Sequence, residues 1–209
     1  QVLKGRVSCL ACQKCGGGRF RKTNTISVIK WNERSYRLQG GAVVILGVDP
    51  GLAHTGWGIV ETRGSVCRAR AYGCVETKAH EPIDMRLGRI YDELSRVIQK
   101  YEPTALSIEG IYFGQNVRSA IPTAQARGAA IVACSKAGLT VGEYTPMQIK
   151  QAVVGTGSAD KAQVMYMIRS VLALDHEPHP DHAADALAAA VCHANLTRTE
   201  ELGKRRVRL

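Results

Sequence analysis

Two carboxylates in this sequence stand where short apolar runs break off. Asp49 closes A-V-V-I-L-G-V-D (42–49) and precedes Pro50-Gly51; Glu109 closes A-L-S-I-E (105–109) and precedes Gly110. Both runs read as buried strands, and ligand crevices form at the strand ends of open sheets. A carboxylate there is costly to bury unless a cation meets it. Taken singly, Asp49 and Glu109 also suit plain turn positions. A third segment changes that balance. In P-H-P-D-H-A-A-D-A-L-A-A-A (178–190), His182 and Asp185 are three apart and share a helix face, and Asp181 and Asp185, four apart, are equally compatible. The rest of this helix is nearly all alanine, so it can lie close to a sheet and aim its polar residues at the strand ends.

Asp49, Glu109, His182 and Asp185 together suit divalent cations, Mg²⁺ first and Mn²⁺ as the alternative. Two ions about 3.5–4 Å apart would stabilise the attacking and leaving oxygens of an in-line phosphoryl displacement. Two lysines add cationic charge. Lys150 lies in Q-I-K-Q-A-V-V (148–154), and Lys161 follows Gly155-Thr156-Gly157-Ser158 in the first turn of an expected helix. Ser158 reads as that helix's cap, and the free N–H groups of such a start suit a phosphate. In the loop G-I-Y-F-G-Q-N (110–116), Tyr112 and Phe113 are two of eleven aromatics. One can stack on an opened base, while Phe113 also suits the core. Gln115 and Arg118 are candidate phosphate contacts.

The elements that position these groups follow from pattern. Strands are expected at 42–49, 55–62, 66–77, 105–109 and 139–144. Leu87, Ile90, Tyr91, Leu94, Val97, Ile98 and Tyr101 recur at helical spacing over 84–101. Further helices are expected at 119–137, 147–154, 159–172 and 181–195. Three consecutive strands followed by alternating helices and strands predict an α/β fold, a five-stranded mixed sheet with helices on both faces. The small residues of 119–137 allow close packing, either on the chain's own sheet or on a second helix.

Charge divides the chain into three. Residues 1–41 carry nine Lys/Arg and one acid, 198–209 carry five and two, and 42–197 hold 14 basic and 15 acidic residues. The net charge of +10 therefore lives in the tails, where it suits a polyanion such as DNA or simply solubility. Residues 1–41 read as a basic, poorly ordered extension, 42–197 as the catalytic domain and 198–209 as a basic tail. No apolar run is long enough for a membrane span, no secretion signal is visible, and a cytoplasmic protein is expected. The seven cysteines then read as reduced thiols rather than a disulfide framework. Cys9, Cys12 and Cys15 have knuckle-like spacing but lack a fourth ligand for a structural zinc site.

Four motifs in order, G-V-D-P-G-x-x-x-T-G-W-G (47–58), S-I-E (107–109), Q-I-K-Q-A-V-V-G-T-G-S-A-D-K-A-Q-V (148–164) and H-A-A-D-A-L-A (182–188), resemble the RuvC family of Holliday-junction resolvases. A strand ending in D-x-G alone also opens actin-like kinases; the four collinear motifs are far more specific. The resemblance covers about 42–197. It implies a ribonuclease H-like fold and a homodimer that makes paired nicks in two strands of like polarity at a four-way DNA junction. It implies Asp49, Glu109, His182 and Asp185 as metal ligands, Lys150 and Lys161 as active-site lysines, Tyr112 as a junction wedge and a RuvA–RuvB branch-migration motor as partner. His182 departs from the better-known members, which carry Asp there; Asp181 is the alternative ligand.

Overall fold

The computed structural model describes residues 27–28, 42–110 and 117–206. Its elements, in chain order, are β1 (Ser27–Val28), β2 (Val43–Asp49), β3 (His54–Arg63), β4 (Val66–Glu76), α1 (Ile83–Tyr101), β5 (Ala105–Glu109), α2 (Val117–Lys136), β6 (Thr140–Tyr144), α3 (Pro146–Val154), α4 (Lys161–Val171) and α5 (Asp181–Arg206). The sheet order is β1-β4-β3-β2-β5-β6. β2, β3 and β4 form an antiparallel meander; β5 and β6 add parallel to β2. The five expected strands are its body. A sixth, β1, pairs Ser27 with Tyr72 and Val28 with Ala71; a two-residue bridge has no periodicity from which sequence can announce it. The rest of the basic extension, with Cys9, Cys12 and Cys15, lies outside the described residues.

Strand alternation sorts the side chains between two cores, because successive residues face opposite sides of the sheet. Leu46 and Val48 of β2, Trp57 and Ile59 of β3, and Leu106 and Ile108 of β5 face α1 and α2. Helix α1 buries Ile90, Leu94, Val97 and Ile98 there, and α2 buries Ala126, Ala130, Ala133 and Cys134. The small residues of α2 thus pack on the chain's own core. Ile45 and Val60 face the opposite side, where α3, α4 and α5 contribute Ile149, Val153, Val164, Ile168 and Leu187. Helices cover both faces, as the pattern predicted.

Helix α5 lies close on the sheet because the strands beneath it are stripped to glycine. A Cβ on Gly47 would collide with the Ala186 carbonyl, and one on Gly56 with the His182 carbonyl. One on Gly58 would stand 2.7 Å from Leu187 Cδ2. Ser107 of β5 adds a direct tie, its hydroxyl donating to the Ala189 carbonyl at 2.6 Å. These contacts fix the first turns of α5 over the ends of β2 and β5.

Two expected boundaries shift. The helix after Gly155 begins at Lys161, and its cap is Asp160 rather than Ser158. The Asp160 side chain accepts from Gln163 N–H, and the Asp160 N–H donates to Gln163 Oε1, a reciprocal pairing that satisfies two otherwise orphaned donors. Helix α5 continues to Arg206, so residues 198–206 extend a helix that was expected to end near Asn195. Lys and Arg are good helix formers, and a basic composition does not end a helix. The four described cysteines, Cys67, Cys74, Cys134 and Cys192, are buried and free, as expected of small apolar side chains.

Candidate metal centre

Asp49 and Glu109 end parallel neighbouring strands whose last paired residues are Val48 and Ile108. Both therefore emerge at one end of the sheet. Strand parity places them on the α5 side, with Ser107 and Gly56. The turn after Asp49 is bolted down. Thr55 donates to the Gly51 carbonyl at 2.7 Å, Thr77 donates to the Leu52 carbonyl at 2.5 Å, and Arg86 donates to Thr77 at 2.8 Å. Gly51 is required there, since a Cβ would lie 2.5 Å from the His54 carbonyl.

The first turn of α5 brings His182 and Asp185 to this end. His182 Nδ1 is 2.7 Å from Asp49 Oδ2, and one donor atom from each of Asp49, His182 and Asp185 lies within 4.8 Å of the others. That spacing lets a single cation touch all three. The electrostatics carry the same message. Burial first, then the negative charges of Asp49 and Asp185, push the Glu109 carboxyl up to about 7, while Lys150 opposes them. Burial and Asp49 likewise raise Asp185. The hydrogen bond to Asp49 raises His182, against its own partial burial. A site that raises both Asp185 and Glu109, the latter to about 7, is short of positive charge, and a divalent cation fits that deficit. Glu109 stands outside the tight three-residue group but within its field.

The sequence left Asp181 and His182 as alternative fourth ligands. Geometry separates them. Asp181 Oδ2 pairs with Lys161 Nζ at 2.9 Å, and Lys161 reaches Asp185 Oδ2 at 3.8 Å; His182, not Asp181, joins Asp49 and Asp185. Lys161 sits at the start of α4 as expected, with its ammonium held charged chiefly by the bond to Asp181. One of the N–H groups expected to be free at this helix start is taken. Asp160 occupies the N–H of Gln163, and the Thr156 and Ser158 hydroxyls bond each other at 2.9 Å.

Lys150 is half-buried on α3, which opens at the Thr145–Gln148 capping box. Its charge lowers Glu109, so it belongs to the same electrostatic unit. Tyr112, Phe113 and Gln115 lie outside the described residues, and Arg118 is in the first turn of α2. Sequence reasoning missed His54, whose ring stacks on His182 with centroids 5.4 Å apart and planes 7° from parallel. The signal was strand parity, since His54, Gly56 and Gly58 share a face. A cleft of about 520 Å³ opens beside the centre, lined by Cys74, Glu76, His179, Pro180, Asp181 and His182.

Comparison with known proteins accounts for this arrangement as a whole. The profile described as "Crossover junction endodeoxyribonuclease RuvC" matches residues 45–193. The protein of that description from Heliobacterium modesticaldum is 48% identical over 153 residues, covering 73% of this chain and 94% of the relative. The one from Clostridioides difficile is 46% identical over 159 residues, covering 76% and 94%. Among solved structures, Thermus thermophilus RuvC in complex with Holliday junction substrate is 38% identical and superposes with a TM-score of 0.73, covering 76% of this chain and 96% of that one. The match takes in the sheet body from Ile45 onward and every candidate ligand from Asp49 to Asp185, and the chain belongs to the RuvC family of crossover junction endodeoxyribonucleases.

Proposed function

We propose that the Asp49–His182–Asp185 cluster, with Glu109 beside it, is the hydrolytic centre with which this endonuclease resolves Holliday junctions by paired nicks in strands of like polarity. The observation that carries this reading is the convergence of three donor groups within 4.8 Å at the strand ends, with Glu109 raised to about 7 by the same crowding. Asp49, Glu109, His182 and Asp185 would hold divalent cations, Mg²⁺ or Mn²⁺, two ions per subunit. When bound, these supply Lewis acidity for attack of water on a phosphodiester and for departure of the leaving oxygen.

The chain's own residues do the rest. Asp49 and Glu109 are fixed by two parallel strands, so their spacing is set by the sheet rather than by a loop. His182 and Asp185 are carried by a helix seated closely on the glycine strip. Lys161 is tethered by Asp181 next to Asp185, which puts a cation at the rim where a phosphate would approach. Lys150 offsets the negative field on Glu109 and favours its ionised form. The segment after Gly110 carries Tyr112, which would stack on a base at an opened junction, with Phe113, Gln115 and Arg118 as further candidate DNA contacts; its position in sequence directly after Glu109 supports that role.

A homodimer gives one centre for each of two strands. Ile121 and Val132 of α2, 59% and 51% exposed, are the apolar residues on which a second copy would close. Family membership also supports cooperation with a RuvA–RuvB branch-migration motor.

The test is a substrate panel: a mobile four-way junction, linear duplex, single strand and RNA–DNA hybrid, each with Mg²⁺, Mn²⁺ or EDTA. Symmetric, metal-dependent nicks confined to the junction are expected. Preferential cleavage of the hybrid would replace this reading with a ribonuclease H-type activity. Tight junction binding without cleavage in any metal would make the protein a binding module.

A further inference from the structure

We propose that His54 is a positioning residue for the metal centre, acting through its stack on His182. The inference deepens the reading above and rests on His182 being a ligand.

His54 is the first residue of β3, pairs with Glu76 of β4, and is exposed. Its ring adds nothing to either core, so packing of the fold does not explain its placement. Its ring stacks on that of His182, with 5.4 Å between centroids and 7° between planes. Aromatic pairs of this separation attract beyond the area they bury.

His182 needs that contact because its other restraints leave one motion open. Its backbone is seated on Gly56, where no side chain fits, and its Nδ1 is tied to Asp49 Oδ2 at 2.7 Å. A single hydrogen bond fixes one ring atom and lets the plane swing about it, since the second side-chain torsion of histidine is broad. A parallel ring against the face removes the swing. The direction of the imidazole lone pair is then set from three sides: Gly56 below the backbone, Asp49 at one nitrogen, His54 across the face. Groups that orient a ligand in this way contribute to metal affinity without touching the ion.

The experiment compares the wild-type protein with His54→Ala and His54→Phe. Mn²⁺ affinity is read by electron paramagnetic resonance of free Mn²⁺, and the ring ¹⁵N signals of His182 are followed in the metal-free protein. His54→Ala is expected to weaken Mn²⁺ binding roughly tenfold and to broaden the His182 ring signals, with the thermal midpoint within about 2 °C of wild type. His54→Phe, which keeps a flat ring on the same face, is expected to restore both. Unchanged Mn²⁺ affinity in His54→Ala overturns the proposal. So does a His54→Phe variant as weak as His54→Ala, because the imidazole nitrogen rather than the stack would then be what matters. A wild-type protein that binds Mn²⁺ but leaves the junction uncut would instead remove the proposed function, and the His54 result would still be read from affinity alone.

Discussion

His182 Nδ1 and Asp49 Oδ2 lie 2.7 Å apart although 133 residues separate them in sequence. The contact ties the first turn of the last helix to the end of the first long strand. Everything else at the centre is arranged around that joint: the glycine strip that lets α5 descend, the bolted turn after Asp49, and the lysine held at the rim.

Glu109 makes the metal-free protein sensitive to pH in an unusual direction. Its folded pKa of about 7 lies above the ordinary 4.5, so the folded state holds this proton more tightly than the unfolded chain. Its stabilising effect is full below about pH 4.5 and is lost as pH rises through 7. The shift corresponds to roughly 1–3 kcal/mol after allowance for partial solvent access. In EDTA, Glu109→Gln should therefore be more stable than wild type at pH 8 and nearly equal to it at pH 5. Urea midpoints at the two pH values check this, and equal gaps at both would contradict it.

Gly56 should tolerate no side chain. Gly56→Ala puts a methyl into the His182 carbonyl, which costs about 1–3 kcal/mol of overpacking and moves His182 away from Asp49. Cleavage should fall more than stability alone explains. Gly88 of α1 is the contrast, exposed with nothing within 4 Å of an added Cβ. Gly88→Ala should raise stability by about 0.5–1 kcal/mol and leave cleavage untouched. Thermal unfolding and single-turnover rates on the same preparations separate the two.

Asp181 and Asp185 should behave differently despite their helical kinship. Asp181 is the partner of Lys161, whereas Asp185 belongs to the donor cluster. Asp185→Asn should weaken Mn²⁺ binding at least tenfold, in the range of ligand and near-ligand losses, and Asp181→Asn should change it by less than about twofold. Calorimetric titration of both variants reads the difference directly. Equal losses would return Asp181 to the ligand set.

Much of this was readable in sequence because the relevant signals are local. Apolar runs ending at Asp49 and Glu109 mark strand ends by themselves, and the His182–Asp185 spacing marks a shared helix face. The resemblance then supplied the pairing of these segments. Other features depend on tertiary register. Whether Asp181 or His182 enters the cluster is decided by where α4 delivers Lys161, which no spacing within 181–185 encodes. The stack of His54 on His182 needs β3 to be in register with β2 and α5 to be seated on Gly56. The mistaken cap had a different cause: Ser158 and Asp160 are both good caps, and Gln163 selects Asp160 because it completes the reciprocal pair.

On the proposed mechanism the Asp49 carboxylate serves the chemistry rather than the fold or DNA binding. Asp49→Asn is nearly isosteric, so one experiment suffices: junction binding by gel shift in EDTA, and strand cleavage of the same labelled junction in Mg²⁺. Binding is expected to stay within about threefold of wild type, less than about 1 kcal/mol, and cleavage to be abolished. Cleavage at the wild-type rate would take Asp49 out of the mechanism and the metal centre with it.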